Sequence, residues 1–227
     1  MIRVEPAGDG GWQVVLADAP TPEAAVVHRA RDLAERVVAA RLPGVREALA
    51  GYQSVLVLFD QVSVNPAAVR DAVTRLAAEP ARPGRARGAR HRLALCVCPA
   101  CALDRDFAVQ TLGKPWKDIV TSFAAPAWDV WLTGFQPGFS FLGPLPGNLA
   151  LPRLASPRGR LPAGSAGIGG TQAGLYAHAG PGGWRILGRT DAVLFDPDRK
   201  KPALLVPGDS VSFTPTEDHA SLAFAER

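Results

Sequence analysis

The chain has 227 residues, of which 47% are apolar and 20% charged, with a net charge of +4. That balance belongs to a chain that folds around a core, and it excludes a disordered or low-complexity protein. No apolar run is long enough to span a membrane, the first residues carry no apolar leader, and three cysteines between 96 and 101 make no disulfide framework. These features predict a cytoplasmic protein that does not engage a membrane.

In chain order, residues 12–16 read as a strand. Thr21-Pro22-Glu23 predicts a helix start, with an N-cap, a proline at the first helical position and an acid in the first turn. Val26, Ala30, Leu33 and Val37 carry the helix forward at its own period until Leu42-Pro43-Gly44 stops it. Strands are expected over 45–49 and 54–59. Asn65-Pro66 then opens a second helix with Val69, Val73 and Leu76 facing inward, ending at Pro80. A further strand covers 91–97. The order β-α-β-β-α-β predicts a split βαβ, ferredoxin-like unit, although the last strand could equally belong to the next domain.

Arg82, Arg85, Arg87, Arg90 and Arg92, with Pro83, Gly84 and Gly88 among them, mark a boundary between an α/β domain over 1–88 and a second domain over 89–227. No aromatic residues interleave with these arginines and no recognition helix comes after them, so they read as a solvated linker and not a nucleic-acid surface. Two short helices are expected next, from Asp104 and from Pro115, the second presenting Trp116, Ile119, Val120 and Phe123 on one face. Beyond Trp128 the composition changes: 14 of the 23 glycines fall between 134 and 191. Short β-rich pieces alternate with them at 130–132, 168–170, 174–177, 184–187, 203–206 and 211–213. Such spacing predicts a β-barrel or sandwich with long loops, and the whole chain an α+β fold.

Cys96, Cys98 and Cys101, with His91 upstream, have zinc-ligand chemistry but no second, distant ligand pair. They are expected to be buried thiols, with no metal bound. Gly164-Ser165-Ala166-Gly167 imitates part of a nucleophile elbow, but strand and turn residues stand next where a helix is required, so Ser165 reads as a turn serine. Arg158, Arg160, Gln172, Tyr176, His178, Arg185, Arg189 and Thr190 lie among the glycines. Arginine forks there suit a carboxylate or phosphate, or they solvate a barrel rim.

Several blocks resemble a known family. Thr133-Gly134-Phe135-Gln136-Pro137-Gly138-Phe139-Ser140-Phe141-Leu142-Gly143, Pro157-Arg158-Gly159-Arg160-Leu161-Pro162-Ala163-Gly164-Ser165, Gly170-Thr171-Gln172-Ala173-Gly174-Leu175-Tyr176, and Pro181-Gly182-Gly183-Trp184-Arg185-Ile186-Leu187-Gly188-Arg189-Thr190 stand in the order found in the B subunit of 5-oxoprolinase, also called KipI or allophanate hydrolase subunit 1. Pro207-Gly208-Asp209 completes the series.

The resemblance implies a small α/β domain followed by a cyclophilin-like β-barrel. It also implies a partner, a homologue of the C subunit (KipA, or allophanate hydrolase subunit 2), with the A subunit present in the full assembly. That assembly opens 5-oxoproline to glutamate at the expense of ATP, with Mg expected to accompany the nucleotide. The family also includes a histidine-kinase inhibitor and modules beside urea carboxylase. On this reading Asp104, Arg158, Arg160 and Arg189 are the catalytic candidates. Gln172, Tyr176, Gly182, Gly183, Trp184 and Thr190 would bind substrate or nucleotide. Phe135, Phe139 and Phe141 would face the partner, or else pack inward as barrel core. The chain departs from the pattern at Cys98-Pro99, where two glycines are usual, and at Phe123, where a histidine is usual. A phenyl ring cannot move protons, so either that histidine is dispensable or this is a divergent member with another substrate.

Overall fold

The computed structural model describes residues 2–82 and 88–224, so Arg85 and Arg87 of the arginine run lie outside the described residues. The chain divides into two compact units, Met1–Ala86 and Arg87–Arg227.

The first unit holds β1 (Arg3–Pro6), β2 (Gly11–Val15), α1 (Ala24–Ala39), β3 (Val45–Ala50), β4 (Ser54–Phe59) and α2 (Pro66–Ala78). Its sheet is antiparallel throughout, in the order β1-β2-β4-β3. Side chains alternate across a strand, so Val55, Val57 and Phe59 of β4 share the buried face. Val14 of β2, Leu33 and Val37 of α1, and Val69 and Val73 of α2 close one core with them. Asn65 caps α2 as expected, its Oδ1 accepting from the N–H of Ala67 at 2.9 Å. The start of α1 differs from expectation. Glu23 and not Thr21 is the N-cap, without a side-chain cap.

The split βαβ expectation also needs correction. In that arrangement the strand after α2 would return beside β2. Here β1 holds that edge through a short hairpin, and the strand after α2 pairs in the barrel of the second unit instead. Arg36, 2% exposed, ties the two helices of the first unit together. Its guanidinium donates to Asp32 at 2.9 Å, to the Leu76 carbonyl at 2.6 Å and to Glu79 at 3.0 Å.

The second unit begins with β5 (Arg90–Cys96), α3 (Arg105–Leu112) and α4 (Trp116–Ala124). Strands β6 (Trp128–Thr133), β7 (Ser140–Gly143), β8 (Arg158–Leu161), β9 (Ser165–Gly169), β10 (Gln172–Leu175), β11 (Gly180–Gly182), β12 (Arg185–Arg189) and β13 (Ser210–Thr216) complete it. Seven strands of this unit close a barrel in the order β10-β7-β6-β13-β5-β12-β9, while β8 and β11 pair separately as a strap. Closure joins β5 to β13 in parallel, from Arg90 opposite Ser210 to Cys96 opposite Thr216. Residues 203–206, expected as a strand, contribute a single bridge between Phe195 and Ala203.

Asp209 locks the start of the parallel pair. Its carboxylate accepts from the N–H groups of Ala89 at 2.8 Å and Val206 at 3.1 Å and lies 3.0 Å from His91 Nε2. A side chain at Gly88 would meet the Gly208 carbonyl at 2.8 Å, so the backbones approach this closely only with glycine there. Trp128, Val130, Leu142, Ile168, Leu175 and Phe213 are among the side chains that fill the core.

Candidate functional site

The chain turns into α3 at Asp104, which is 4% exposed and binds β12 through both its backbone and its side chain. Its N–H donates to the Ile186 carbonyl at 3.0 Å, and its Oδ2 accepts from the Ile186 N–H at 2.8 Å. The other oxygen accepts from Arg158 Nη2 of β8 at 2.9 Å and from Arg185 Nη1 of β12 at 3.0 Å. Burial pushes the Asp104 carboxyl up, but the Arg158 guanidinium, the Ile186 N–H and Arg185 together hold it below the usual carboxylate range. With both oxygens engaged, the residue is a fixed anion that aims two arginines. Asp104, a catalytic candidate from sequence, thus positions Arg158 and Arg185. Arg185 also lies over the Phe107 ring, 3.4 Å from its centre, which further restrains its guanidinium.

Beside this network is a cleft of about 280 Å³ lined by Phe135, Phe139, Phe141, Arg153, Leu154, Pro157, Tyr176, Gly182, Gly183 and Trp184. Its floor is an edge-to-face aromatic cluster. Phe139 meets Phe141 at 4.7 Å, Tyr176 at 5.0 Å and Trp184 at 5.5 Å between ring centres. Glycine is required at 182, because a Cβ there would lie 2.7 Å from the Tyr176 hydroxyl. Burial raises the Tyr176 phenol, opposed by the Trp184 N–H and by the charges of Arg153 and Arg158. Arg153 lies over the Trp184 ring at 5.7 Å. Arg158 Nη1 is buried and has no hydrogen-bond partner among the described residues, so a guanidinium already anchored by Asp104 keeps a donor for something else.

Seven residues singled out from sequence therefore meet in one cleft: Phe135, Phe139, Phe141, Tyr176, Gly182, Gly183 and Trp184. Arg158 does not line it but pairs with Gly182 across β8 and β11. The three phenylalanines separate by exposure. Phe139 is buried core, Phe141 is half-buried, and Phe135 is 70% exposed with a left-handed φ of 67°. Of the three, Phe135 alone presents most of its ring for a partner.

Arg189 and Thr190 lie elsewhere, in a smaller cleft of about 100 Å³ with His178, Asp191 and Phe224. There Arg189 Nε donates to the Ala163 carbonyl at 2.8 Å. Arg160 is exposed on β8, and Gln172 pairs with Gly169 at the end of β10; neither lines either cleft. Ser165 donates to the Pro162 carbonyl at 2.6 Å, as a turn serine does.

Sequence reasoning passed over Arg153, Leu154 and Pro157 as site residues. The signal that could have found them is the arginine and prolines just before and at the start of the block that opens at Pro157. Arg185 stood in the polar run without being singled out.

His91, the imidazole nearest the cysteines in sequence, binds Asp209 at the start of β5. The imidazole that meets the cysteines is His219. The expectation of no metal rested on the lack of a second, distant ligand pair; the tertiary structure brings one distant ligand, His219, to the three cysteines. Phe123 is 2% exposed and packs between Trp128 and Phe213 at 5.2 and 5.5 Å, a core position in neither cleft.

Residues 2–205 match the family described as carboxyltransferase domain, subdomain C and D. The B subunit of the 5-oxoprolinase of Escherichia coli O157:H7 is 39% identical over 212 residues, covering 92% of this chain and 94% of that protein. Among solved structures, that of TTHA0988 superposes with a TM-score of 0.78 at 27% identity. The match covers 96% of this chain but 40% of that longer one, so this chain spans less than half of its length. The urea carboxylase of Kluyveromyces lactis shares the fold, with a TM-score of 0.77 at 21% identity over 95% of this chain and 22% of the enzyme. No helix among the described residues is long and apolar enough to cross a membrane. On the extent of the family match and the identity to the bacterial relative, the chain belongs to the carboxyltransferase subdomain C and D family, in its group of 5-oxoprolinase B subunits.

Proposed function

We propose that this chain is the B component of an ATP-dependent 5-oxoprolinase or a closely related amidohydrolase, acting with homologues of the C and A subunits. The observation that carries the reading is the buried Arg158 Nη1, which has no hydrogen-bond partner among the described residues and belongs to the residue paired with Gly182 of the cleft wall. A guanidinium fixed by Asp104 costs little to orient, and its remaining donor suits an anionic oxygen. The substrate of such an enzyme carries a carboxylate, and the attack on its amide generates negative charge on oxygen. An amide is a poor electrophile, and phosphorylation by ATP, with Mg as its counter-ion, would turn that oxygen into a leaving group. The chain's own contribution is to bind and orient through Arg158, Arg185 and Arg153. Tyr176 and Trp184, which line the cleft, would give the substrate an apolar wall. Phe135, exposed at the rim, would face the partner.

The test is reconstitution with homologues of the A and C subunits. The three-component mixture should convert 5-oxoproline to glutamate with ATP consumed, and the mixture lacking this chain should not. Replacing Arg158 with Ala should reduce turnover about tenfold or more, since loss of one charge-assisted hydrogen bond is worth about 1.5–3 kcal/mol. Full activity of the Arg158→Ala complex would remove this cleft from the reaction.

A further inference from the structure

At the end of β5 the chain makes a tight turn, with the N–H groups of Cys101 and Ala102 donating to the Cys98 carbonyl at 2.9 and 2.8 Å. The turn folds Cys101 back over Cys96 and Cys98. The C-terminal segment after β13 then brings His219 to the same point, although it lies 118 positions from Cys101. Its Nδ1 stands 3.3 Å from Cys101 Sγ, 3.7 Å from Cys96 Sγ and 3.9 Å from Cys98 Sγ, while the Cys96 and Cys98 sulfurs are 3.3 Å apart. All four ligand atoms lie within 4.8 Å of one another.

Around a tetrahedral zinc, with Zn–S about 2.3 Å and Zn–N about 2.0 Å, neighbouring ligand atoms stand about 3.5–3.8 Å apart. The observed spacings bracket those edges, and they are too short for a multinuclear cluster to sit among the four atoms. Three sulfurs and an imidazole nitrogen are also the donor set that selects zinc over the hard cations.

We propose that Cys96, Cys98, Cys101 and His219 form a structural zinc site that staples the C-terminal segment to the barrel. Four protein ligands leave no open coordination position, so the ion holds structure and does not activate water. Cys96 and Cys101 are buried, whereas Cys98 is half-buried and His219 exposed, which gives the metal a way in.

The surrounding segment holds His219 in place. Asp218 Oδ1 accepts from the N–H groups of Ala220 and Ser221 at 3.1 and 3.3 Å, and Asp191 Oδ2 accepts from the Ala223 N–H at 3.2 Å. The His219 ring stacks on Phe224, 4.7 Å between centres, and the Arg189 guanidinium lies 4.4 Å from the centre of the Phe224 ring. The zinc thus sets, through His219 and Phe224, one wall of the smaller cleft that holds Arg189, His178 and Thr190.

The full chain, purified from cells supplied with zinc, should carry one zinc per chain by elemental analysis. Reconstitution of the apo-protein with cobalt should give the visible spectrum of a tetrahedral, thiolate-bound ion. Cys98→Ser should lose most of the metal. His219→Ala, a surface change that spares the turn, should surrender its zinc to a chelator that leaves the wild type loaded. Chelation forceful enough to strip the wild type should lower Tm by roughly 5 °C or more, because ligand binding to the folded state alone raises its stability. Three titratable thiols in a chain that takes up no zinc or cobalt would overturn the proposal. So would His219→Ala holding zinc as tightly as the wild type, whatever the fate of Cys98→Ser.

Discussion

Asp104 shows how one buried charge organises several others. Both of its oxygens are engaged, and its removal leaves Arg158 and Arg185 facing each other with no anion between them. Asp104→Asn keeps the shape and removes the charge, and should cost about 2–3 kcal/mol, below the full penalty of a buried broken pair because Arg158 is partly exposed. The pH dependence has a definite sign. The carboxyl is held below its ordinary value in the folded protein, so its contribution is fully present above the unfolded value of about 3.9. That contribution is lost as pH falls through the lower folded value. Thermal unfolding should therefore show a constant gap between wild type and Asp104→Asn from about pH 5 to 8, closing in more acidic buffer. A gap that widened toward acid would contradict the arrangement. Asp104 was singled out from sequence, but its two guanidinium partners were not legible there, because they lie 54 and 81 positions away.

At the scale of elements, α4 lays Trp116, Ile119 and Phe123 against the barrel. The face was readable from helical spacing, because apolar residues three and four apart share a side. The reading of Phe123 as a missing proton carrier was not supported by its surroundings, since its ring is enclosed by Trp128 and Phe213. Phe123→His should give no gain of 5-oxoprolinase activity. It should lose about 3 kcal/mol by removing ring contacts and burying a polar imidazole. That imidazole must stay neutral, which lowers its pKa in the folded state, so the deficit should grow as pH falls below about 6.5. Denaturant titrations at pH 8 and pH 6 would measure both effects. An equal deficit at the two values would mean that the ring reaches solvent.

For the molecule as a whole, the division into two units has an energetic consequence. The first unit buries Val14, Leu33, Val37, Val55, Val57, Val69 and Val73 against one another in a core of its own. A polypeptide of residues 1–82 should therefore unfold cooperatively on heating, followed by circular dichroism. A featureless, sloping melt would show that this core is incomplete by itself.

The local patterns were decided by sequence alone. They include the helix periods of α1 and α2, the Asn65 cap, the α4 face and the glycine-rich blocks that carry the aromatic cleft. Each of these depends on residues within a few positions of one another, whose preferences act through short-range sterics and hydrogen bonds. Tertiary structure alone decided that the strand after α2 joins the barrel, in parallel with β13, and that β1 takes the edge beside β2. It also decided that Arg158 and Arg185 converge on Asp104, and that His219 and not His91 joins the cysteines. Those outcomes depend on strands and loops far apart in the chain meeting when the barrel closes. The free energy of that closure belongs to the packed whole, and no stretch of sequence read alone contains it.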